Sequence, residues 1–493
     1  MKNLFVIVFL VALAIAQGCK SIPLEKQLDD ALPKADQVGA DNLPTEIETV
    51  YSPFFEGSFA RPTFPDRRDS ILADEGGEEI QKKIDKIAAA GGGILLLKKG
   101  NYHSGRITLR SNINLHLEEG AVLTFKNEIA DFLPVVFTRN EGVELYSLGA
   151  CIYANGAKNI AITGRGKIIG PGDGSVRKNT MTHDVIENIV HSDTPVEDRV
   201  YDGKTAAFIF PPALIAPINC QDVWIEGISL ARSAFWNVVP TYCENVVIRG
   251  LRINSVGIQR GDGIDIESSK NVLVEYCTLR TGDDCIAIKA GRGYDGLRVN
   301  KPSENIIVRY CLAAQGHGGF TIGSETAGMA KQVYVHDCVF TGTDVGIRFK
   351  TRRPRGGGGA NIRFENIRMD VVHSALRWDM LGQALHVGNQ ASREFSVAKN
   401  ALTPRFADID LKNIYIGSSA DCIKIEGIPE SVLANVTFDR IYGQGVRYLS
   451  LKDAKNIRLK DSQFFCEDTR IDSLNVSGLE QKNVKLITKD KKL

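Results

Sequence analysis

Apolar side chains along this chain recur in short runs that alternate with polar residues. A cue of the form Asn-Val/Ile-x-Ile/Val/Phe opens most of these runs, at intervals of 21 to 34 residues where copies are close together. The asparagines of the cue are Asn159, Asn245, Asn271, Asn305, Asn361, Asn435, Asn456 and Asn483. Asp222, Gln332 and Asp408 take the same place in variant copies. Alternation with a period of two, without long amphipathic stretches between the runs, predicts an all-β chain of repeated units.

Stacking is the way for such repeats to bury their apolar faces, because a single unit cannot do so alone. The repeats therefore predict a right-handed parallel β-helix, a solenoid whose coils lie about 4.8 Å apart. Cys277, Cys311 and Cys338 each follow their cue by six residues, which predicts an internal ladder of thiols. Apolar residues at helical spacing over 78–88, followed by three glycines, predict an N-terminal helix that caps the open end.

The N-terminus has the features of an export signal. Lys2 precedes an apolar run over 4–16, and residues 16–19 (AQGC) resemble a bacterial lipobox. We expect residues 1–18 to be a signal peptide and Cys19 to be lipidated. The protein would then be exported and held in the bacterial envelope, in the periplasm or at the cell surface, by its lipid anchor alone. No later stretch is long and apolar enough to span a bilayer.

The rest of the chain divides once by composition. Residues 19–68 are rich in Pro, Asp, Glu and Lys without periodicity, which predicts a tether and wrapping segment. Residues 69–493 are predicted to form a single β-helix domain, since solenoids grow by adding coils. The 60 Lys and Arg residues against 59 acids leave a net charge of +1, which offers no bulk attraction for nucleic acid. We expect a monomer without a nucleic-acid partner.

The cysteines are predicted to be buried thiols. Removing Cys19 from the ten cysteines leaves an odd number, and no CxxC pair exists. Their spacing follows the coils, which favours small buried side chains over a metal site. Disulfides between stacked coils are the alternative in an oxidising compartment.

Four short motifs carry most of the reactive side chains. They occur at the same phase of the repeat: 262–266 (DGIDI), 283–289 (DDCIAIK), 317–322 (HGGFTI) and 346–350 (GIRFK). Aligning their apolar-x-apolar cores places Asp262 and Asp284 in one column on adjacent coils. The same alignment places His317 in the column of Asp283. Acids, a histidine and two cations on one surface indicate an active site.

These motifs resemble glycoside hydrolase family 28, the polygalacturonase family, and its bacterial members in particular. Similar segments cover nearly all of the chain from Phe64 to the last coils: AAAGGGILLLKKGNYHSGRITLRSNINLHLEEGAVL, SAFWNVVPTYCENVVIRG, DGIDIESSKN, GDDCIAIKAG, GHGGFTIGSE and GIRFKTR. The resemblance implies a parallel β-helix that hydrolyses pectic polysaccharide without a cofactor or metal. Arg260 precedes the first acid where the family usually has asparagine, which leaves the innermost sugar of the substrate open.

The acids suit an inverting glycosidase, which needs one protonated acid at the leaving oxygen and a base that holds water about 6.5–9.5 Å away. Mutual repulsion within the cluster is expected to raise the pKa of one aspartate. By resemblance, Asp283 is the general acid, and Asp262 with Asp284 activates the water. His317 is expected to hydrogen-bond to Asp283 and tune it.

Two cations are predicted to bind a sugar carboxylate. Arg348 and Lys350 alternate around an inward phenylalanine, so both leave the outer face two coils, or roughly 10 Å, from Asp284. Arg would bind a carboxylate with its bidentate fork and Lys as a point charge. Lys289 falls in the column of Lys350 and is predicted to assist. Arg260 is the fourth predicted substrate-binding residue.

The sequence therefore predicts a pectin-degrading, inverting glycoside hydrolase that cleaves α-1,4-galacturonosyl linkages. A rhamnogalacturonan or other pectic side-chain hydrolase of the same family is the alternative. Two other classes stay open: an eliminase like pectate lyase, in which acids hold Ca²⁺, and a non-catalytic solenoid that binds glycans.

Overall fold

The computed structural model describes residues 22–73 and 77–489, and most of its strands stack in parallel along one axis. Three faces run along this axis. The first face carries the asparagine cue and contains β1 (Arg68–Ile71), β2 (Gly93–Leu97), β5 (Ile113–Leu117), β10 (Lys158–Gly164), β13 (Gln221–Glu226), β15 (Glu244–Arg249), β18 (Lys270–Glu275), β21 (Ser303–Arg309), β23 (Ala330–His336), β26 (Gly358–Asp370) and β28 (Arg405–Ser418).

The other two faces complete each coil. The second contains β3 (Gly100–Ser104), β6 (Ala121–Phe125), β11 (Lys167–Ile169), β14 (Ser229–Ala231), β16 (Arg252–Asn254), β19 (Thr278–Arg280) and β24 (Val339–Thr341). The third contains β4 (Ile107–Thr108), β9 (Ala150–Asn155), β12 (Ala213–Ile218), β17 (Ile264–Glu267), β20 (Ile286–Lys289), β22 (Leu312–Ile322), β25 (Thr343–Lys350), β27 (Ser374–Asp379) and β29 (Asp421–Glu426). Three of the long strands continue round a corner: β26 and β28 run from the first face into the second, and β22 begins on the second face. β30 (Leu433–Thr488) holds the last coils, and β7 (Val136–Asn140) pairs antiparallel with β8 (Val143–Ser147). The predicted all-β parallel β-helix is confirmed.

The asparagine cue marks a corner of each coil. Asn245, Asn271 and Asn305 have φ angles of 57°, 55° and 57°, in the left-handed region that asparagine tolerates better than most residues. Their side chains also stack: Nδ2 of Asn271 donates to Oδ1 of Asn245 at 3.2 Å, and Nδ2 of Asn305 donates to Oδ1 of Asn271 at 2.9 Å. The repeated letter in the sequence is therefore both a turn residue and a rung of a polar ladder.

The interior of the third face has the predicted register. Two inward columns run through β17, β20, β22 and β25: Ile264, Ile286, Phe320 and Ile347 in one, and Ile266, Ile288, Ile322 and Phe349 in the other. All eight side chains are fully buried. Because side chains alternate along a strand, the residues between these columns must point outward. This alternation positions the site.

Helices close the end of the solenoid and cover its outside. α2 (Gly77–Ala89) is the predicted cap, and its Ile80 and Ile84 are fully buried in the main core. α1 (Leu24–Ala31) packs through Leu28 against Tyr442 of the last coils. Residues 47–64 pack on the outer side of the first face, so this segment wraps around the β-helix. The predicted signal peptide and Cys19 lie outside the described residues.

The cysteines of the described part are all buried and free, as predicted for small apolar side chains. Cys311 donates its backbone N–H to Sγ of Cys338 at 3.4 Å, in keeping with the expected ladder. Within residues 22–73 and 77–489, no helix combines the length and apolar character needed to cross a membrane.

Two insertions interrupt the coils beside the third face. The first, residues 171–208, contains α3 (His183–Val190), and the second, residues 381–404, contains α5 (Ala384–Val387). They meet where His183 Nε2 lies 3.2 Å from the carbonyl oxygen of His386. α4 (Gly293–Val299) follows β20 and contacts α3. The insertions therefore stand together at the carboxyl-terminal edge of the face that carries the acidic motifs.

Candidate active site

Three aspartates meet where the chain enters β17 and β20. The carbonyl oxygen of Asp262 accepts the backbone N–H of Asn237 at 2.9 Å, and Gly263 donates its N–H to the carbonyl oxygen of Asp284 at 2.9 Å. These ladder bonds place Asp262 and Asp284 on adjacent coils. One carboxylate oxygen each from Asp262, Asp283 and Asp284 lies within 4.8 Å of the others. These distances join the nearest oxygen atoms, and they are shorter than the 6.5–9.5 Å between carboxyl groups that the sequence predicts for an inverting pair.

Asp284 is held in its ionised form. Its side chain is fully buried and accepts hydrogen bonds from Thr321 Oγ1 at 2.9 Å and Lys350 Nζ at 2.7 Å, while Arg348 lies 3.5 Å away. Burial acts to raise the pKa of Asp284, but the charges of Lys350 and Arg348 outweigh it and lower the pKa far below the ordinary value. A buried carboxylate that stays ionised suits a base that holds water.

Asp262 has the opposite electrostatics. Burial, followed by repulsion from Asp265 and Asp283, raises its pKa well above the ordinary value, and the charge of Lys289 opposes this rise. The sequence led us to expect the raised pKa on the proposed acid, Asp283. That expectation is wrong, because Asp262 is more deeply buried and has no direct hydrogen bond from a cation.

Asp283 is paired with His317 on the next coil. His317 Nδ1 lies 3.3 Å from Asp283 Oδ1, and the backbone N–H of His317 donates to the carbonyl oxygen of Asp283 at 2.9 Å. Burial acts to raise the pKa of Asp283, yet the His317 hydrogen bond, helped by Lys350, lowers it below its usual range. The same hydrogen bond raises the pKa of His317, whose side chain is 53% exposed. The column predicted for this pair is observed.

The pH profile should respond to His317. We expect His317→Gln to raise the pKa of Asp283, because the substitution removes the charged partner that stabilises the carboxylate. An acid with a higher pKa stays protonated to higher pH, so the basic limb of kcat/KM against pH should move to higher pH. A steady-state pH series on both proteins measures this limb. An unmoved limb, or one moved to lower pH, would contradict the proposed coupling.

Arg348 and Lys350 lie closer to the acids than the coil count indicated. The estimate of roughly 10 Å from Asp284 is wrong for their side chains, because both reach back across the intervening coil to bind its carboxylate. About a fifth of each side chain stays exposed, 23% for Arg348 and 20% for Lys350. Arg348 Nε is buried and has no hydrogen-bond partner within the described residues. Both cations thus stay partly accessible from the outer surface while they bind Asp284.

Lys289 needs a correction. The sequence predicts that it helps to bind substrate, but its side chain is only 4% exposed and lies 3.6 Å from Asp262, 3.6 Å from Asp265 and 3.5 Å from Glu325. Burial acts to lower the pKa of Lys289, and these carboxylates together raise it well above its ordinary value. Its ammonium also lies 4.7 Å from the ring centre of Trp236. Lys289 therefore lies buried among the acidic side chains and stabilises their negative charge, and it is not accessible to a ligand.

Arg260 lies at the rim of the site, on the loop before Asp262. Its Nε is 3.3 Å from Glu141 Oε1, and its side chain is 31% exposed. Its φ of 56° is unusual for arginine and marks a tight turn at this point. The structure thus leaves Arg260 accessible but already paired with one carboxylate.

Sequence reasoning missed Asp265 and Glu325. Asp265 lies in the first acidic motif, between the inward Ile264 and Ile266, so its outward direction was available as a signal. Glu325 follows β22 at the edge of the third face and pairs with Lys289 and Arg292. Its role had no sequence signal, because the ion pairs join residues from different coils.

Comparison with known proteins agrees with this geometry. The model of glycosyl hydrolases family 28 matches residues 140–384, which contain all four motifs. The chain belongs to glycosyl hydrolase family 28. It is therefore a glycoside hydrolase.

Individual proteins are similar to this chain over a longer range than the family model covers. A probable polygalacturonase of Vitis vinifera is 24% identical over 74% of this chain, and an exo-poly-alpha-D-galacturonosidase of Dickeya chrysanthemi is 27% identical over 78% of it. These alignments span 69% and 66% of the two relatives' lengths. The crystal structure of a hyperthermoactive exopolygalacturonase from Thermotoga maritima is 25% identical and superposes with a TM-score of 0.65, covering 94% of this chain and 95% of that one.

Proposed function

We propose that this family 28 hydrolase degrades pectin by cleaving α-1,4-galacturonosyl linkages with inversion at the anomeric carbon. The observation that carries the proposal is the buried, ionised Asp284, bound by Lys350 at 2.7 Å and surrounded by Asp262 and Asp283 on one surface. The names of the similar polygalacturonases support galacturonan as the substrate.

Asp283 is the proposed proton donor to the leaving oxygen. Its side chain is 24% exposed, whereas those of Asp262 and Asp284 are almost completely buried. An acid must reach the glycosidic oxygen to protonate it, and Asp283 has the most open side chain of the three. His317 beside it positions the carboxyl group and sets its pKa.

Water is the proposed nucleophile. A retaining enzyme would need one carboxylate to attack the sugar directly. Asp284 is poorly suited to this attack because Lys350 and Arg348 neutralise its charge, and Asp262 is buried beside Lys289. A water held by the ionised Asp284 beside Asp262 can attack from the opposite side to Asp283, which gives inversion.

Arg348 and Lys350 are proposed to bind the carboxylate of the galacturonate next to the scissile bond. About a fifth of each side chain is exposed while its other contacts hold Asp284. Arg348 offers the paired N–H groups that fit a carboxylate, and Lys350 adds a point charge.

A calcium-dependent elimination is the second class to test. Carboxylate oxygens within 4.8 Å of one another are suitable donors for Ca²⁺. However, Lys350 and Arg348 lie against Asp284, and a further cation beside them would be repelled. The charge balance of the cluster therefore favours hydrolysis.

Product analysis tests the function. Purified protein incubated with polygalacturonate, methyl-esterified pectin and rhamnogalacturonan should release saturated products from polygalacturonate, with activity retained in a chelator. NMR during turnover should show the inverted anomer first. An unsaturated product, or activity lost in chelator and restored by Ca²⁺, would favour the lyase. Preferred cleavage of rhamnogalacturonan would support the alternative hydrolase.

We further propose that the protein is exported and anchored through a lipid on Cys19. The support is the signal-like composition of residues 1–18 and the lipobox-like tetrapeptide that ends at Cys19. Cys19→Ala should move the protein from the membrane fraction to the soluble fraction of producing cells. Equal partition of both proteins would contradict the anchor.

A further inference from the structure

Arg352 continues the row of cations that Arg348 and Lys350 form beside the aspartates. Arg348 and Lys350 point outward from β25, and Arg352 follows in extended conformation with φ −153° and ψ 158°. Alternate residues of an extended chain share a side and lie about 6.6 Å apart. The row therefore extends from Asp284 toward the carboxyl-terminal edge of the third face, where the two insertions stand.

The neighbouring arginines all have carboxylate partners. Arg260 pairs with Glu141 at 3.3 Å. Arg292 pairs with Glu325 at 2.9 Å, and Arg355 pairs with Glu187 at 3.2 Å. Arg260 stays 31% exposed at the rim, whereas the other two pairs are largely buried. Arg292 also contacts Glu141 and Glu187, so all three pairs form one network beside the acids.

Arg352 differs from these arginines. It is half-buried, yet no carboxylate of the described part of the chain forms an ion pair with it, and its guanidinium has no hydrogen bond there. A half-buried guanidinium without an ion-pair partner keeps its five donors available for an anionic ligand. The site therefore has room in its charge balance for one further anion.

Arg353 and Arg355 show that this is a property of Arg352 and not of the whole loop. Arg353 is buried and binds Glu430 at 2.6 Å, and Arg355 is buried against Glu187. Neither side chain is free to meet a ligand. Of the three arginines over 352–355, Arg352 alone combines partial exposure with an unfilled set of donors among the described residues.

The electrostatic surroundings of Arg352 favour an anion. Burial lowers the pKa of Arg352, and the charge of Arg292 lowers it further against the opposing effect of Glu325. Burial together with the charge of Arg352 lowers the pKa of His386 to about 4. Positive charge is thus in excess at this point of the site.

The second insertion leaves room for the Arg352 side chain. A Cβ atom at Gly382, whose φ is 77°, would lie 2.9 Å from Arg352 Cγ. Glycine at this position permits the insertion to pack along the arginine stem, and His386 of the same insertion lies with its ring 4.9 Å from that of His183. The arginine is therefore held at the end of the row by packing.

We propose that Arg352 binds a second carboxylate of the substrate, on the uronate that follows the one held by Arg348 and Lys350. This inference rests on the proposed function, because it takes the substrate to be a chain of uronic acids. The enzyme would then recognise two acidic sugars, and Arg352 would be a specificity-determining residue for de-esterified chains.

Equilibrium binding tests the inference without turnover. Titration calorimetry with trigalacturonate would compare Asp283→Asn with the double variant Asp283→Asn/Arg352→Gln. We expect the dissociation constant to rise roughly 10- to 100-fold, the usual effect of one charge-assisted hydrogen bond. The affinity for the fully methyl-esterified trisaccharide should fall by less than about threefold, because this ligand offers no anion. Arg352→Lys in the same background should restore part of the affinity.

Arg363→Gln is the matched control. Arg363 lies on β26 of the first face, 3.3 Å from Glu365 and 30% exposed, and its removal should leave trigalacturonate binding unchanged. Three outcomes would each overturn the inference. The first is an equal loss of affinity for trigalacturonate and for its methyl ester, and the second is an unchanged dissociation constant for trigalacturonate in the Arg352→Gln variant. The third is a failure of Asp283→Asn to bind trigalacturonate. Failure of the proposed function would show separately, as wild-type protein that does not hydrolyse polygalacturonate.

Discussion

Replacing Asp283 by asparagine should lower kcat on polygalacturonate about 10²- to 10⁴-fold, the usual contribution of general acid catalysis. Asparagine keeps the size of the side chain but cannot give a proton to the leaving oxygen. The fold should survive, because Asp283 lies outside the inward columns and has an exposed edge. Turnover by reducing-sugar assay, with circular dichroism and thermal unfolding as checks of the fold, measures both outcomes.

Asp344→Asn is the control for this prediction. Asp344 also faces His317, with its Oδ2 4.0 Å from Nε2, but it is 43% exposed and is separated from the three clustered aspartates. We expect the Asp344→Asn enzyme to keep most of its turnover. Near-normal kcat in a folded Asp283→Asn enzyme would show that the proton comes from another group.

Replacing Lys350 by methionine should lower kcat/KM about 10- to 100-fold, because it removes a charge-assisted hydrogen bond from the site. The loss should appear on both acidic and methyl-esterified substrates, and it should be larger on the acidic ones. Lys350 binds Asp284 at 2.7 Å, so its removal weakens the base as well as the contact with a substrate carboxylate. The contact with a substrate carboxylate, which is all that the sequence predicts for Lys350, would by itself confine the loss to acidic substrates.

The same variant should change the pH dependence. The charge of Lys350 lowers the pKa of Asp284, so Lys350→Met should raise that pKa. A base with a higher pKa loses its ionised form at higher pH, and the acidic limb of kcat/KM should move upward in pH. Lys331→Met, at an exposed position of β23 on the first face, is the control and should change neither quantity. A loss confined to acidic substrates with an unmoved limb would mean that Lys350 serves the substrate alone.

Most of the fold could be predicted from the sequence. The asparagine cue, the alternating runs and the capping helix are local signals, since each depends on the dihedral angles or the sidedness of a few neighbouring residues. In a parallel stack, equal phase in two repeats means adjacency in space. The columns of Asp262 with Asp284 and of Asp283 with His317 could therefore be predicted from the sequence alone.

The pKa shifts of the site residues and the distances that their side chains span depend on the tertiary structure. Coil counting measures distances between backbones, whereas Lys350 bridges a coil with its side chain and neutralises Asp284. The column of Lys289 was predicted correctly, but its enclosure by Asp265 and Glu325 depends on residues from other coils. For the same reason, the pKa rise falls on Asp262 and not on Asp283.

The positions of the two insertions likewise could not be predicted from the sequence. Residues 171–208 and 381–404 lie outside the repeat, so periodicity says nothing about where they go, yet they meet beside Arg352. Repetition in the sequence determines which side chains share a column, because stacking preserves phase. Burial, charge balance and the contacts of non-repeating segments depend on residues far apart in the chain, and only the folded molecule brings those together.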